Sequence, residues 1–328
     1  MLASPDVLVV GTTIDPHIDA VFEQMPAHVS IARLNVDRFP VEQCVTILPL
    51  ANQPQVVLDD GQQEWDISRP GASWFRQLGK PGIHESLPER YRPFVLGEAA
   101  QQLECVMSLV QPITRLNGYW SCRQAAVKGL QYHIAHMAGL RMPATIMTNS
   151  PSAAGNWLAD VPNAIAKSIH SPLLTDADIE EARSFVFTNE LDAHDRQDLA
   201  ALQVAPTQLQ SLIQRSFEVR ITSVAGKHFG IRIDPLTDDL HLLDWRSGEF
   251  DCTYDEVVIP EDICDGLDRL FAALDIEYAA SDFIVAQDGR WIFLEANPHG
   301  AWLWLERAVP SHAVSLAIAE FLSYGARR

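Results

Sequence analysis

The sequence predicts an α/β protein built in more than one part, and three observations predict it. Short apolar runs alternate with helical stretches over the first third, the pattern of a small, mostly parallel sheet. From Pro206 onward the chain changes to long strand pairs that read as antiparallel hairpins. The length, 328 residues, is enough for two or three compact domains.

The elements follow in order. VLVV (7–10) is a buried-strand run ending at Gly11, and the amphipathic stretch Asp15–Met25 follows it. VSIARL, CVTIL and QVVL add strands between Pro and Asn punctuation. Ser68–His84, rich in Gly, Pro and Arg, reads as a loop. Pro88–Val110 reads as a helix with Leu96, Ala100, Leu103 and Met107 on its apolar face, and Tyr119–Ala138 as a second, stopped by Gly139. Next come the strand ATIMT, a helix opening near Ser150, the strand AIAKSI, an acidic helix over Thr175–Arg183 and the strand FVFT. Asp192–Ala205 is polar and reads as a linker. FEVRITSVAG and KHFGIRID form a hairpin about an AGK turn, Glu261–Leu274 is a helix, 277–296 a second hairpin, and 311–324 a final helix.

Composition excludes several function classes. With 24 Lys plus Arg against 43 Asp plus Glu, the net charge of −19 repels a phosphate backbone, so no nucleic-acid partner is expected. The five cysteines are scattered without a CxxC pair, so neither a disulfide framework nor a zinc site is expected. The start MLASPDVLVVGTTID lacks a basic n-region, and no apolar run approaches the roughly 20 residues of a membrane helix. A cytoplasmic protein without a membrane partner is expected. GTT after the first strand is neither a GxGxxG nor a P-loop. His133 and His136 have no third ligand in view and read as core or surface histidines.

The segment IEYAASDFIVAQDGRWIFLEANPHGAWLWLE points to chemistry. A two-residue turn at Asp288-Gly289 sets Gln287 against Arg290, Phe283 against Leu294 and Asp282 against Glu295. Asp282, Ile284, Phe293, Glu295 and Asn297 then share one face. Opposed carboxylates about 5 Å apart repel unless a cation lies between them, and a few hard oxygen ligands suit Mg²⁺. The alternative is an exposed hairpin whose acids face solvent. The chain has only four lysines against 20 arginines. Lys167, inside an apolar strand, needs an anionic partner, either a phosphate or a neighbouring carboxylate. Lys128 alone reads as a lysine on a solvated helix. Trp302 and Trp304 are expected to pack the end of the acidic strand, with contact to a peptide as the alternative.

Lys128, Lys167, LQSLIQRSFEVRIT, Asp282 and LEANP together resemble the ATP-grasp superfamily. MPATIMTNSP, AIAKSI, LLDWRS and SDFIVAQDGRWIFLEANPHGAWLWLE fit, within it, the ribosomal-peptide maturases that make microviridin-like graspetides. The resemblance implies an ATP-grasp fold: an N-terminal pre-grasp α/β domain over 1–115, a central lobe over 116–205 and a C-terminal lobe with the metal hairpin over 206–328, ATP lying between the two lobes. It implies that Lys128 and Lys167 hold the α- and β-phosphates, and that Gln210, Ser211, Leu212 and Ile213 meet adenine, mainly through backbone groups. It further implies that Asp282, Glu295 and Asn297 ligate Mg²⁺ and that Arg220 steadies the γ-phosphate and acyl-phosphate. Glu218 takes a ribose contact or a structural role. Asp244 and Arg246 of DWR resemble the motif that recognises acidic side chains of the core peptide; a surface ion pair is the alternative.

The sequence departs from the family pattern at three points. Ser211 stands where a hinge acid is common, Ala301 where a glutamine often follows the Asn-Pro-x-Gly tail, and no glycine lies between Lys167 and Phe187. The implied function is an ATP-dependent ligase that activates Asp or Glu carboxylates of a ribosomal precursor peptide (leader plus acidic core) as acyl-phosphates. Ester or amide macrocycles with Ser, Thr or Lys result, and a homodimer is expected. The alternatives are a RimK-like ligase joining an amino acid or small amine to a carboxylate, and a non-catalytic module that binds a leader peptide.

Overall fold

The computed structural model describes residues 2–170, 173–175, 183–185, 188–235 and 252–325. The chain opens with β1 (Val7–Gly11), α1 (Pro16–Gln24), β2 (Ile31–Asn35), β3 (Cys44–Leu48), β4 (Gln55–Asp59), β5 (Glu64–Asp66) and β6 (Ala72–Phe75). A 3-10 turn at Glu89–Tyr91 leads into α2 (Arg92–Leu109) and β7 (Thr114–Arg115). β2, β1, β6 and β7 form a parallel sheet in that order, while β3, β4 and β5 form a separate antiparallel one. CVTIL and QVVL therefore leave the parallel sheet. β1 is buried on both faces: Leu8 and Val10 pack with α2 residues Leu103 and Val106, and Val7 and Val9 lie in a second cluster with Ile18.

Two expectations fail in this region. The stretch read as a loop contains β6, because ASWF is only four residues long and Gly, Pro and Arg surround it. The buried face of α2 is Ala99, Leu103, Val106 and Met107; Ala100 points outward.

The next region holds α3 (Tyr119–Ala125), α4 (Lys128–Met137), β8 (Thr145–Thr148), α5 (Pro151–Asp160), β9 (Ala164–Lys167), β10 (Leu173–Thr175), β11 (Arg183–Phe185), β12 (Asn189–Glu190) and β13 (Thr207–Ser211). Ser150 caps α5 by accepting from the Ala153 amide at 3.3 Å. The single helix expected over Tyr119–Ala138 is two, broken where Val127 takes an extended conformation. No Pro marks that break, and the nearest glycine, Gly129, lies inside α4; Gly139, at φ +85°, ends α4 as expected. β12, β9, β13 and β8 form an antiparallel sheet, one face of which packs on α5. The segment read as a linker is anchored to this core: Leu202, in a 3-10 turn at Leu199–Gln203, is buried with Leu158 and Leu209. Most of the acidic helix expected over Thr175–Arg183 lies outside the described residues.

The last region comprises β14 (Arg215–Val224), β15 (Lys227–Pro235), β16 (Cys252–Glu256), α6 (Glu261–Leu274), β17 (Tyr278–Ala286), β18 (Trp291–Asn297), α7 (Leu303–Ala308) and α8 (Val314–Gly325). Its antiparallel sheet runs β16-β15-β14-β17-β18. The β14–β15 turn is Ala225-Gly226, both at positive φ, as a two-residue type I′ turn requires. One face of the sheet buries Val219, Ile221, Phe283 and Phe293 against α6. The other carries Arg220, Asp282 and Glu295. Among the described residues no helix is long and apolar enough to cross a membrane.

Candidate active site

The acidic hairpin brings Asp282 opposite Glu295, as the sequence predicts, but by a different route. The loop is three residues, Gln287-Asp288-Gly289, closed by the Ala286 amide donating to Arg290 O at 2.9 Å, with Gly289 at φ +82°. That turn shifts the pairing by one, so Phe283 faces Phe293 and Ile284 faces Ile292. An irregularity between Asp282 and Phe283 then restores the pairing of Asp282 with Glu295 and Ala280 with Asn297. Two deviations cancel. Phe293 consequently belongs to the core, its ring 5.5 Å from that of Phe283, and Ile292 takes the place expected for it beside Ile284.

The register across the sheet aligns Arg220, Asp282 and Glu295 in one row over β14, β17 and β18. Arg220 Nη1 donates to Asp282 Oδ1 at 2.8 Å, and Lys128 Nζ lies 3.7 Å from Glu295 Oε2. Each opposed carboxylate thus has its own cation, which offsets the repulsion between like charges. The row is sheltered: the Arg220 and Asp282 side chains are 9% and 14% exposed. The solvated-hairpin alternative is therefore overturned, and so is the reading of Lys128 as an isolated surface lysine. Lys128 Nζ also donates to Ser168 O at 3.3 Å, next to Lys167 at the end of β9.

Gln131 sets this alignment, and sequence reasoning missed it. β18 is the edge of its sheet, so the outward N–H and C=O of Ala296 lack a strand partner. Gln131 supplies one: Oε1 accepts from Ala296 N at 2.9 Å, and Nε2 donates to Ala296 O and to Ala125 O, each at 2.7 Å. The side-chain amide acts as a one-residue strand, with Lys128 one helical turn before it. The available signal was a glutamine at the spacing of the apolar face carrying Ala135 and Ala138. Gly300 was missed as well. A Cβ there would stand 2.3 Å from the Ala280 Cβ and 3.0 Å from Arg220 Nη2, so only glycine lets the tail close over the arginine.

The other candidates are distributed around this row. Asn297 is exposed, and its Oδ1 accepts from the His299 amide at 2.9 Å. By register, Lys167, Gln208, Gln210, Thr145 and Met147 share one face of the β9–β13–β8 sheet. Gln210 Nε2 donates to Thr145 Oγ1 at 3.1 Å. The amides of Ser211 and Leu212 donate to Ala144 O and Asn163 O, each at 2.9 Å, so these two N–H groups are already engaged. Ile213 continues into β14. Glu218 shares the sheet face of Arg220 and is ion-paired with Arg215. Asp244 and Arg246 lie outside the described residues.

A cavity of about 750 Å³ opens between α4, the 139–143 loop, β8 and the start of β18, in the size range of small-molecule sites. Tyr132, Met142, Thr145, Met147, Arg290 and Ile292 line it, beginning one residue past Lys128. Burial pushes the Tyr132 phenol up and the Glu295 charge adds to this, against hydrogen bonding from Gln208, so it stays a neutral hydroxyl. The candidate metal donors are two carboxylates and one amide, and no cluster of three His, Cys, Asp or Glu exists among the described residues. Such a sparse, all-oxygen set fits Mg²⁺, which fills its shell with water and phosphate oxygens.

Comparison with known proteins agrees with this fold. The MvdD pre-ATP grasp domain matches residues 6–123. The macrocyclase MdnC of Microcystis aeruginosa MRC, solved bound with precursor peptide MdnA, superposes with a TM-score of 0.84 at 28% identity, covering 97% of this chain and 99% of that one. The fold is that of the graspetide-type ATP-grasp ligases, with an MvdD-type pre-ATP grasp domain at its N-terminal end. The macrocyclase MdnB of the same organism matches at a TM-score of 0.77 and 26% identity, over 98% of this chain and all of that one. A RiPP-associated ATP-grasp ligase of Chryseobacterium gregarium, in complex with ADP and a leader and core peptide, shares the fold with a TM-score of 0.86 at 23% identity, over 97% and 96% of the two chains. No curated protein matches the sequence.

Proposed function

We propose that this protein is a graspetide-type ligase that uses ATP and Mg²⁺ to activate Asp or Glu side chains of a ribosomal precursor peptide, closing ester or amide cross-links with Ser, Thr or Lys of the same peptide. The observation that carries this is the sheltered row Arg220–Asp282–Glu295–Lys128, ending beside Lys167. Bound ATP and Mg²⁺ would supply a γ-phosphoryl group that turns a carboxylate into an acyl-phosphate with release of ADP; a hydroxyl or amine then attacks the acyl carbon, loses its proton and expels inorganic phosphate. Asp282, Glu295 and Asn297 would hold the metal with oxygen donors. Lys128 is the first residue of α4, where unpaired amides and the helix dipole favour an anion, and with Lys167 it neutralises the phosphates. Arg220 is fixed by Asp282 on one side and Ala301 O on the other, which aims its remaining charge at a developing phosphoryl or tetrahedral oxyanion.

The hinge gives adenine carbonyl oxygens, the amides not already engaged, and side chains. The Thr145 and Met147 wall of the cavity borders Gln210 and offers an apolar surface for the base. Glu218, held by Arg215, is assigned a structural role. The positive charge gathered here within a chain of net charge −19 favours acidic ligands at this site over the rest of the surface. Asp244 and Arg246 are assigned to the acidic core peptide on sequence resemblance. The test is peptide-stimulated ADP formation with hydroxylamine present. An acidic precursor should raise ADP release and yield a hydroxamate with the wild type, and neither with Glu295→Ala. ADP release stimulated only by free amino acids would instead favour the RimK-like reading.

A further inference from the structure

Arg76 stands at the carboxyl end of β6, and Asp15 follows the carboxyl end of the neighbouring β1. Both are buried, with side chains 3% and 10% exposed, and Arg76 Nε donates to Asp15 Oδ2 at 3.0 Å. Arg76 does not stop at this ion pair. Its Nη1 donates to His299 O at 2.6 Å and Gly300 O at 3.2 Å, and its guanidinium carbon lies 5.1 Å from the centroid of the Trp302 ring. Asp15 Oδ1 lies 2.7 Å from His17 Nδ1, while His17 Nε2 accepts from the Trp302 amide at 3.3 Å. The two contacts tie the ring to Asp15 on one side and to the tail backbone on the other. Tyr278 adds a second donor to Gly300 O, at 2.6 Å.

The pre-grasp domain therefore grips the backbone of residues 299, 300 and 302. That tail is bounded by two parts of the candidate site. Upstream, Asn297 is tied to it through the His299 amide donating to Oδ1 and the Gly300 amide donating to Asn297 O at 3.0 Å. Downstream, Ala301 O receives Arg220 Nη2, with Gly300 packed against the same guanidinium. Charge-assisted bonds to backbone carbonyls fix position without depending on the tail's side chains.

We infer that Arg76, oriented by Asp15 and seconded by His17, is a positioning residue through which the pre-grasp domain sets Asn297 and Arg220 for metal and phosphate. This rests on the assignment of Asn297 and Glu295 to the metal. Arg76 touches neither substrate nor metal; it holds the strand end that does. Groups that orient a ligand from behind change metal affinity measurably when removed, whereas a residue that only glues two domains changes stability alone.

The test is Mn²⁺ binding followed by electron paramagnetic resonance on the full chain with ADP, in wild type, Arg76→Gln, Tyr278→Phe and Glu295→Ala. Arg76→Gln should weaken Mn²⁺ binding about ten-fold, raise the Mg²⁺ concentration needed for ADP formation in parallel, and leave the KM for precursor peptide nearly unchanged. Arg76→Lys should recover part of the loss. Tyr278→Phe, which deletes one uncharged donor to the same carbonyl, should weaken binding less and serves if Arg76→Gln fails to fold. Unchanged Mn²⁺ affinity in both variants, with Glu295→Ala no longer binding, would overturn the inference. If Glu295→Ala binds Mn²⁺ like wild type, the metal-face assignment itself falls.

Discussion

Replacing Gln131 by Met tests how the edge of the acidic hairpin is built. Methionine keeps the length and the two-methylene stem of the side chain but removes the donors and the acceptor. Three backbone groups lose their partner: Ala296 N, Ala296 O and Ala125 O. Gln131 is 2% exposed, so water does not reach these groups without local opening. At about 1 kcal/mol for each orphaned buried group, the low end of the usual range, the loss is about 3 kcal/mol. Urea unfolding followed by tryptophan fluorescence measures it, with Gln131→Ala as a second variant that adds a cavity. The functional consequence should track the geometry. Lys128 loses its alignment with Glu295, so the KM for ATP should rise more than kcat falls. A destabilisation below about 1 kcal/mol with unchanged ATP affinity would refute the reasoning, because orphaned buried groups cannot be that cheap.

Three further outcomes follow from the structure. Burial pushes the Asp15 carboxyl up, but hydrogen bonds from His17 and the Arg76 charge overcome this and hold it at about 2. Its contribution, about 2 kcal/mol, is present above pH 4 and lost as pH falls toward 2, so the stability gap between wild type and Asp15→Asn should close across that window. Burial, assisted by the Arg220 charge and opposed by Glu256, lowers the His312 imidazole to about 4. The unfolded chain then binds the extra proton between pH 6.5 and 4, costing the fold about 3 kcal/mol over that interval, and His312→Asn should flatten that part of a stability–pH curve. Gly300→Ala, with its Cβ 2.3 Å from the Ala280 Cβ on a central strand, should cost about 3 kcal/mol and depress kcat by displacing Arg220, read by thermal unfolding and ADP release.

Local patterns made much of this fold legible. The bounds of α6 were readable because Pro260 precedes it and a full amphipathic period follows. The Ala225-Gly226 turn and the opposed acids were readable because strand alternation and turn chemistry are short-range. The hairpin shows the limit of such reading: the turn was one residue longer than expected, and the irregularity near Leu294 compensated for it. The carboxylates were placed correctly for an incomplete reason, while Phe293 was not. β6 was hidden because a four-residue central strand is too short to show a period, and the α3–α4 break because no Pro marks it and the nearby Gly129 sits inside α4. Arg76 and Gln131 were beyond reach. Their partners lie 223 and 165 residues away, at His299 and Ala296; a glutamine on an apolar helix face marks Gln131 as buried, but nothing local names the backbone that it or Arg76 grips.

Carboxylate activation within a peptide is the role proposed for the Lys128–Glu295–Asp282–Arg220 row. Mass spectrometry of the genomically adjacent precursor peptide, after incubation with the protein, ATP and Mg²⁺, tests it most directly. Successive losses of one water mass, one for each ring, are expected with the wild type and none with Glu295→Ala. An unmodified peptide in both reactions would contradict it, as would equal dehydration by the wild type and Glu295→Ala.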